Sequence, residues 1–242
     1  MKVLFLGTSG SMVTPRRVCS GTLAGPYLFD IGFGVMTRIR EAKVPLASIE
    51  KLFVSHTHAD HIGDFTALLW AMQLEGREEG LEVVSTKETG ARLKEILRLQ
   101  STPRSFFGFD VSFVGPGEAG AEFVYTKHAP KNAAYAVEVQ GKRLVYTGDT
   151  AYSPRLVGLS RGSDILIHEA TFLESQAGLA SKTNHSTAAD AGRIAGDAGA
   201  GSLAMVHVSP VNEGRDADYL AEARRGFTGK AYVAADLMQV EV

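Results

Sequence analysis

The segment Ser55-His56-Thr57-His58-Ala59-Asp60-His61 comes directly after an apolar run that has the pattern of a β-strand. It holds four possible metal ligands within six positions: His56, His58, Asp60 and His61. In a continued strand His61 would point away from the others, whereas a turn into a helix lets all four converge. Imidazole and carboxylate suit zinc, manganese or iron, and four donors exceed what one open catalytic site takes from a single segment. The segment therefore predicts two metal ions.

Three further donors follow predicted strands elsewhere in the chain: His128, Asp149 and His207. Ends of strands that share one edge of a sheet can bring such residues together. Any one of the three alone is more often an ordinary polar residue than a ligand. Together with the first four they complete a set of seven donors, which we expect to bind metal.

The rest of the sequence alternates between strand and helix patterns. Strands are predicted over 2–6, 22–24, 27–30, 49–54, 81–84, 122–125, 135–139 and 143–146, near 165, and over 203–206 and 230–233. Helices are predicted over 33–42, 65–74, 87–99, 187–198 and 217–225. No linker, charge block or low-complexity tract divides residues 1–242, so we expect a single α/β domain made of two similar halves.

Composition excludes several classes of protein. The chain has 242 residues, 45% hydrophobic and 21% charged, which is typical of globular proteins. No apolar run approaches the roughly 18 to 20 residues that span a bilayer, and no signal-peptide core is evident, so we expect a cytoplasmic protein with no membrane partner. A single cysteine, Cys19, excludes an internal disulfide and thiolate zinc sites. The net charge of −2 provides no general attraction for nucleic acid.

The order His-x-His-x-Asp-His, a lone histidine, Gly-Asp and a final histidine resembles the metallo-β-lactamase superfamily over essentially the whole chain. The resemblance implies an αββα four-layer sandwich with a binuclear site along one edge. It implies one metal at His56, His58 and His128, and the other at Asp60, His61 and His207, with Asp149 bridging them. Two divalent ions, zinc first and manganese or iron as alternatives, would activate water for hydrolysis.

Two further motifs, His168-Glu169-Ala170-Thr171 and His185-Ser186-Thr187, resemble the HEAT and HST motifs of ribonuclease Z, the tRNA 3′-end processing endonuclease. That likeness implies a phosphodiesterase in which His185 transfers a proton, Glu169 orients His185, and Asp60 helps to orient the nucleophile. His168 ends a predicted buried strand, and either a structural or a direct role is open to it.

The sequence also departs from ribonuclease Z. Only 149 − 128 = 21 positions separate His128 from Asp149, where that family commonly inserts a long arm that grips tRNA. Pro210-Val211-Asn212 stands where the family usually has an arginine-tyrosine pair. These departures argue against tRNA and leave RNA or a small phosphodiester or ester as substrate. A small basic rim is expected from Arg16, Arg17, Lys127 and Lys131. A homodimer is implied by the resemblance alone.

A competing interpretation concerns Asp149-Thr150-Ala151-Tyr152, which resembles the Asp-x-x-Tyr of metal-dependent acyl-homoserine lactonases. In that alternative, a lactonase or β-lactamase-like hydrolase, Tyr152 would polarise the carbonyl. A third alternative is a catalytically silent binding module, which would require lost ligands, and none is lost. The aromatic stretch Ser105 to Phe109 is predicted to belong to the core rather than to a lid.

Overall fold

A computed structural model describes residues 1–242 and contains thirteen strands and eight α-helices. The strands are β1 (Lys2–Gly7), β2 (Gly21–Ala24), β3 (Tyr27–Phe29), β4 (Lys51–Phe53), β5 (Leu81–Val84), β6 (Val111–Val114), β7 (Glu122–Tyr125), β8 (Ala133–Val139), β9 (Lys142–Tyr146), β10 (Ile165–Glu169), β11 (Ser202–Val206), β12 (Lys230–Val233) and β13 (Gln239–Glu241). The helices are α1 (Val35–Glu41), α2 (Ala59–Ile62), α3 (Phe65–Leu74), α4 (Lys87–Leu99), α5 (Pro154–Ser160), α6 (Ala177–Thr183), α7 (Ala188–Ala198) and α8 (Asp216–Ala223).

The strands form two mixed sheets. One has seven strands in the order β13-β1-β2-β3-β4-β5-β6, and the other has six in the order β12-β11-β10-β9-β8-β7. Three hydrophobic clusters separate the layers. The first packs α1, α3 and α4 on the seven-stranded sheet, the second packs α5, α7 and α8 on the six-stranded sheet, and the third fills the space between the sheets. This arrangement confirms the predicted αββα sandwich.

The core between the sheets is built from the alternate residues of strands that face inward. Phe29 and Phe53 stack with ring centroids 4.9 Å apart, and Tyr135 from the opposite sheet meets Phe53 edge-on. The Tyr135 hydroxyl donates to the carbonyl oxygen of Val54 at 2.7 Å. The two sheets are therefore tied together immediately beneath the histidine segment.

Parallel strand pairs place the functional residues at one edge. β3 pairs with β4, and β10 pairs with both β9 and β11, all in parallel. The segments that leave the carboxyl ends of these strands therefore emerge at the same edge of their sheets. Asp30 follows β3, Ser55 follows β4, and His207 follows β11.

Most predicted strands and helices are confirmed to within a few residues. β6 and β13 were not predicted, and β8 begins at Ala133 rather than Tyr135. The hairpin between β8 and β9 turns at Gln140 and Gly141, both with positive φ, as a tight turn of this kind requires. None of the helices combines the length and the apolar character that crossing a bilayer demands.

Candidate metal centre

The backbone after β4 turns as the ligand pattern requires. His58 is extended, with φ −65° and ψ 148°, and forms the N-cap of α2, whose first turn carries Asp60 and His61. The His61 amide donates to the His58 carbonyl oxygen at 3.0 Å. The chain therefore passes from extended backbone into a helix between His58 and His61, which turns the four side chains toward one another.

Imidazole nitrogens from three parts of the chain approach one another in two groups. In the first, His58 Nδ1 lies 3.1 Å from His56 Nε2 and 3.3 Å from His128 Nε2. In the second, His61 Nε2 lies 3.3 Å from His207 Nε2. Two facing nitrogens need a shared proton or a cation between them, because two lone pairs repel.

Asp30 fixes Nδ1 of both His61 and His56, directly in the first case and through Ser55 in the second. His61 Nδ1 donates to Asp30 Oδ2 at 2.7 Å. Ser55 Oγ donates to the same oxygen at 2.7 Å, so it accepts from His56 Nδ1 at 3.0 Å. The Tyr146 hydroxyl is a third donor to this oxygen, at 2.7 Å. With the protons on Nδ1, both rings present an Nε2 lone pair.

A similar arrangement fixes His207 and His128. Thr171 Oγ1 donates to Glu169 Oε2 at 2.7 Å and therefore accepts from His207 Nδ1 at 2.8 Å. His128 Nδ1 lies 3.3 Å from the carbonyl oxygen of Asn184, to which it donates. Four imidazoles thus present Nε2 lone pairs, and His58 presents Nδ1, which is the tautomeric state that metal binding requires.

Asp149 lies between the two groups of histidines and is buried. Its Oδ2 is 3.7 Å from His56 Nε2 and 3.8 Å from His128 Nε2, while its Oδ1 is 3.3 Å from His61 Nε2 and 3.4 Å from His207 Nε2. Oδ1 makes no hydrogen bond. A buried carboxylate oxygen without a hydrogen-bond donor calls for a positive charge, so this residue fits a cation on either side.

The donor atoms form three overlapping compact sets, in each of which all atoms lie within 4.8 Å of one another. These are His56, His58, His128 and Asp149; Asp60, His61 and His207; and Asp149, His185 and His207. The first two correspond to the two ligand sets that the resemblance implies. Asp60 Oδ2 lies 3.2 Å from His207 Nε2 and accepts from the Ser11 amide at 2.7 Å. The seven predicted donors are therefore brought together, and their chemistry fits divalent cations.

Charge reinforces this fit. Burial and the neighbouring His61 lower the pKa of His56 well below its usual value. Burial also lowers the pKa of His61, but Asp149 and Asp30 outweigh it, so the pKa of His61 lies well above its usual value. Where carboxylates are buried this close together, either protons on imidazole or cations must balance them.

His185 stands beside the two sets, with Glu169 behind it. Its Nδ1 donates to Glu169 Oε1 at 2.8 Å, and its ring stacks on His207 with centroids 5.3 Å apart. Burial lowers the pKa of His185, but Glu169 and Asp149 outweigh it and raise the pKa to about 9. The structure therefore provides an imidazole next to the cluster whose protonated form the neighbouring carboxylates favour.

Two residues singled out in the sequence make no hydrogen bond with this cluster. The Tyr152 ring packs on the second core cluster beneath the Arg193 guanidinium, 4.4 Å from the ring centroid, and its hydroxyl makes no hydrogen bond with the histidines. His168 is fully buried, and its Nε2 has no partner. Burial lowers the pKa of His168, which keeps the ring neutral.

The basic rim expected from the sequence is reduced. Arg17 is buried, donates to Thr8 Oγ1 at 2.7 Å and to the Ala234 carbonyl oxygen, and lies 3.5 Å from Asp216. Lys131 is paired with Glu88 at 3.2 Å. Arg16 and Lys127 make no ion pair.

The sequence did not identify Asp30, Ser55 and Thr171 as residues that orient the predicted ligands. Asp30 carried one signal, because it is an acidic residue that directly follows a buried strand. Its φ of 55° is rare outside glycine. Arg92 was also missed; its guanidinium reaches Thr57 Oγ1, between two ligands, at 3.4 Å.

Comparisons with known proteins agree with this geometry. Residues 27–208 match the family model described as "Beta-lactamase superfamily domain". Ribonuclease Z of Natronomonas pharaonis is 30% identical over 303 aligned positions, covering 100% of this chain and 98% of that protein. Ribonuclease Z of Methanosarcina mazei is 27% identical over 303 positions, again covering 100% of this chain and 98% of the relative.

Solved structures share the fold. The metallo-beta-lactamase fold protein YhfI from Bacillus subtilis has a TM-score of 0.83 at 24% identity, with 100% of this chain and 99% of that one covered. The short form of human tRNase Z has a TM-score of 0.79 at 22% identity, with 100% and 99% covered. The matched family model and the archaeal relative together place the sequence: this chain belongs to the beta-lactamase superfamily and, within it, to the ribonuclease Z family.

Proposed function

We propose that this chain is a binuclear metal-dependent phosphodiesterase of the ribonuclease Z type. The observation that carries the proposal is the convergence of five imidazole nitrogens and two carboxylates, with four of the imidazoles bound to the protein through their other ring nitrogen. Acceptor atoms gathered together without hydrogen-bond donors would destabilise the fold, whereas two divalent cations would be ligated by all of them.

One ion would be held by His56, His58 and His128, the other by Asp60, His61 and His207, with Asp149 shared between them. When bound, a pair of divalent ions acidifies a water molecule and offsets the negative charge that grows on phosphate oxygens. Zinc is the first choice, since nitrogen and oxygen donors suit it, and the fold neighbour PqqB from Methylobacterium extorquens, TM-score 0.73 at 16% identity, is described as Zn(2+)-bound.

Residues of the chain carry out the proton transfer. His185 would donate a proton from Nε2 to the oxygen that leaves, because its Nδ1 is engaged by Glu169 at 2.8 Å. Glu169 is held by amide donors from Thr150 at 2.9 Å and Thr171 at 3.0 Å, which keep it ionised and fixed. Asp60 would help to orient the nucleophile, since the Ser11 amide fixes one of its oxygens.

The substrate would be a phosphodiester, either RNA or a small molecule. The relatives that support this are named for their action as ribonuclease Z. The Natronomonas alignment exceeds this chain by 303 − 242 = 61 positions, so that relative has a substantial length of chain with no counterpart here. The short spacing between His128 and Asp149, which leaves no room for the arm, is consistent with this difference in length. The homodimer and the cytoplasmic location remain predictions.

The proposal is tested by metal analysis of the purified protein together with hydrolysis of bis(p-nitrophenyl) phosphate. We expect two divalent ions per chain and activity that a chelator abolishes. His128→Ala and His207→Ala should each lower the metal content, because each removes a ligand from a different set. Tyr152→Phe serves as the matched control and should retain both metal and diesterase activity. Activity that survives complete metal removal would refute the proposal, and loss of lactone hydrolysis alone in Tyr152→Phe would favour the lactonase.

A further inference from the structure

Five exposed apolar side chains lie on segments that adjoin the metal-ligand cluster, and we call them the apolar rim. Their exposed fractions run from 44% for Val13 to 75% for Val211. The members are Met12, Val13, Phe33, Leu179 and Val211. Large apolar side chains that a fold leaves exposed together indicate a binding surface.

Met12 and Val13 belong to a loop that lies against the second set of ligands. The preceding residue, Ser11, donates its amide hydrogen to Asp60 Oδ2 at 2.7 Å. A Cβ on Gly10 would lie 2.8 Å from Nδ1 of His207, so the backbone of this loop touches that ring. These two apolar side chains are therefore next to the site.

Phe33 lies on the same side, because its ring packs on Gly63, one residue beyond the helix that carries Asp60 and His61. Val211 follows His207 by four positions in a 3-10 turn, Pro210–Asn212. The side chain of Asn212 anchors that turn to Tyr219 and Gln176 at 3.1 and 2.7 Å. Val211 is thus held at the surface by a rigid turn.

Leu179 completes the rim near the first set of ligands. It lies on α6, which ends at Thr183, and the carbonyl oxygen of the next residue, Asn184, accepts from His128. The His185 amide donates to the Ala180 carbonyl oxygen at 2.9 Å, which ties the proton donor directly to this helix. Apolar side chains therefore flank both ligand sets and His185.

Part of the positive charge expected on the same surface is engaged elsewhere, since Arg17 is buried and Lys131 is in an ion pair. Arg16, Lys127 and Arg92 remain without an ion pair. A polynucleotide carries a negative charge at every residue and is bound through many lysine and arginine contacts to phosphate. Three cations suit the single charge of one phosphodiester group, whereas the five members of the rim offer apolar surface on which an organic group can be buried.

We infer that the apolar rim binds the organic substituent of a small phosphodiester, so that the substrate class is alkyl or aryl phosphodiesters with a single negative charge. This inference rests on the proposed function, since the rim determines specificity only if phosphodiester hydrolysis occurs at the adjacent cluster. It predicts that the protein selects its substrate by the apolar area of the organic substituent rather than by the number of phosphate groups.

The test uses the zinc-loaded protein and two diesters with the same leaving group, methyl p-nitrophenyl phosphate and phenyl p-nitrophenyl phosphate. After division by the uncatalysed rates, kcat/KM for the phenyl ester should exceed that for the methyl ester by about tenfold, since burying a ring face is favourable. Val211→Ser and Phe33→Ser should each lower this ratio by about threefold or more, with metal content unchanged, and Phe33→Leu should retain it.

Leu74→Ser is the matched control, because Leu74 on α3 is 76% exposed and lies outside the rim. It should leave the ratio unchanged. Equal kcat/KM for the two esters refutes this inference alone, whereas failure to hydrolyse either refutes the proposed function and this inference with it. An RNA oligomer cleaved faster than both esters, with kcat/KM falling steeply as salt rises, also overturns it. So does a loss of molecular mass in solution on Val211→Ser, which would make the rim a contact between two copies of the chain.

Discussion

Replacing Asp30 by asparagine tests how strongly the metal ligands depend on a carboxylate that binds no metal. Asp30 Oδ2 accepts from His61, Ser55 and Tyr146, and Oδ1 accepts from the Ser55 amide at 2.8 Å. An asparagine has one acceptor oxygen and one NH₂ group. In either orientation its NH₂ faces hydrogen-bond donors, so at least one contact becomes repulsive.

The size of the effect follows from these contacts. A hydrogen bond to a charged group contributes about 1.5 to 3 kcal/mol. Loss of a partner that orients a metal-bound histidine lowers metal affinity by about 10- to 100-fold, which corresponds to roughly 1.4 to 2.7 kcal/mol. The two figures agree. We therefore expect Asp30→Asn to bind zinc about 10- to 100-fold more weakly.

Competition for zinc with a chelating dye measures this affinity, and urea unfolding of the metal-free protein measures stability separately. Asp236→Asn is the matched control. Asp236 is also a largely buried carboxylate, with bonds from Thr8, Val18 and Arg38 at 2.8, 2.7 and 3.0 Å, none of them a metal ligand. Both variants should be less stable, but only Asp30→Asn should lose zinc affinity. Wild-type affinity in Asp30→Asn, or an equal loss in both, would refute the reasoning.

Three further predictions follow from other parts of the structure. His185→Ala should lower kcat by about 10²- to 10⁴-fold with metal content unchanged, and full activity on a diester would remove its role as proton donor. Gly10→Ala should weaken zinc binding, because the new Cβ would lie 2.8 Å from His207 Nδ1, whereas Gly117→Ala, with open space around it, should not. Burial raises the pKa of the Cys19 thiol from 9.0 to about 12. The folded state therefore favours the neutral thiol, a contribution that is complete below pH 9 and is lost as pH rises toward 12. The difference in unfolding free energy between wild type and Cys19→Ala should shrink between pH 8 and 10.5, and a constant difference would contradict it.

The ligand set could be predicted from the sequence because each donor lies where a local pattern ends. Asp149 and His207 follow β9 and β11, which are both parallel to β10. His128 follows β7, which runs in the same direction as β9 because both are antiparallel to β8. The direction of the strands therefore brings these three residues to one edge, and the turn at His58 adds the other four donors.

The residues that orient the ligands could not be found in this way. Asp30 contacts Ser55, His61 and Tyr146, which are 25, 31 and 116 positions away, and its place after a buried strand does not identify these partners. The sequence of β13 likewise gives no signal of a strand. Its three residues show no strong periodicity and form a strand only because β1, at the other end of the chain, offers an open edge.

Arg17 shows a second reason why a prediction from sequence can fail. Its residue type predicts a solvated side chain, and its place beside the site loops suggested a basic rim. The fold instead supplies Thr8, Ala234 and Asp216 as partners for a buried guanidinium. Tertiary partners decide whether an arginine is exposed, and they lie up to 217 positions away.

The two halves of the site use the same device. Asp30 bonds directly to one imidazole, His61, and through the hydroxyl of Ser55 to a second. Glu169 likewise bonds directly to His185 and through the hydroxyl of Thr171 to a second imidazole. In each half, a buried carboxylate that is not a ligand fixes the proton on Nδ1 of two rings.

The two halves differ in what surrounds Nε2 of the directly bonded imidazole. Nε2 of His61 faces Asp149 at 3.3 Å and His207 at 3.3 Å, where a cation satisfies all three groups at once. The His185 side chain remains 12% exposed at the edge of the cluster, and its Nδ1, which Glu169 binds, lies 3.9 Å from Asp149 Oδ2. We therefore expect the same arrangement of carboxylate, hydroxyl and imidazole to give a metal ligand where the ring is fully enclosed, as in His61, and a proton donor where the ring stays partly exposed, as in His185.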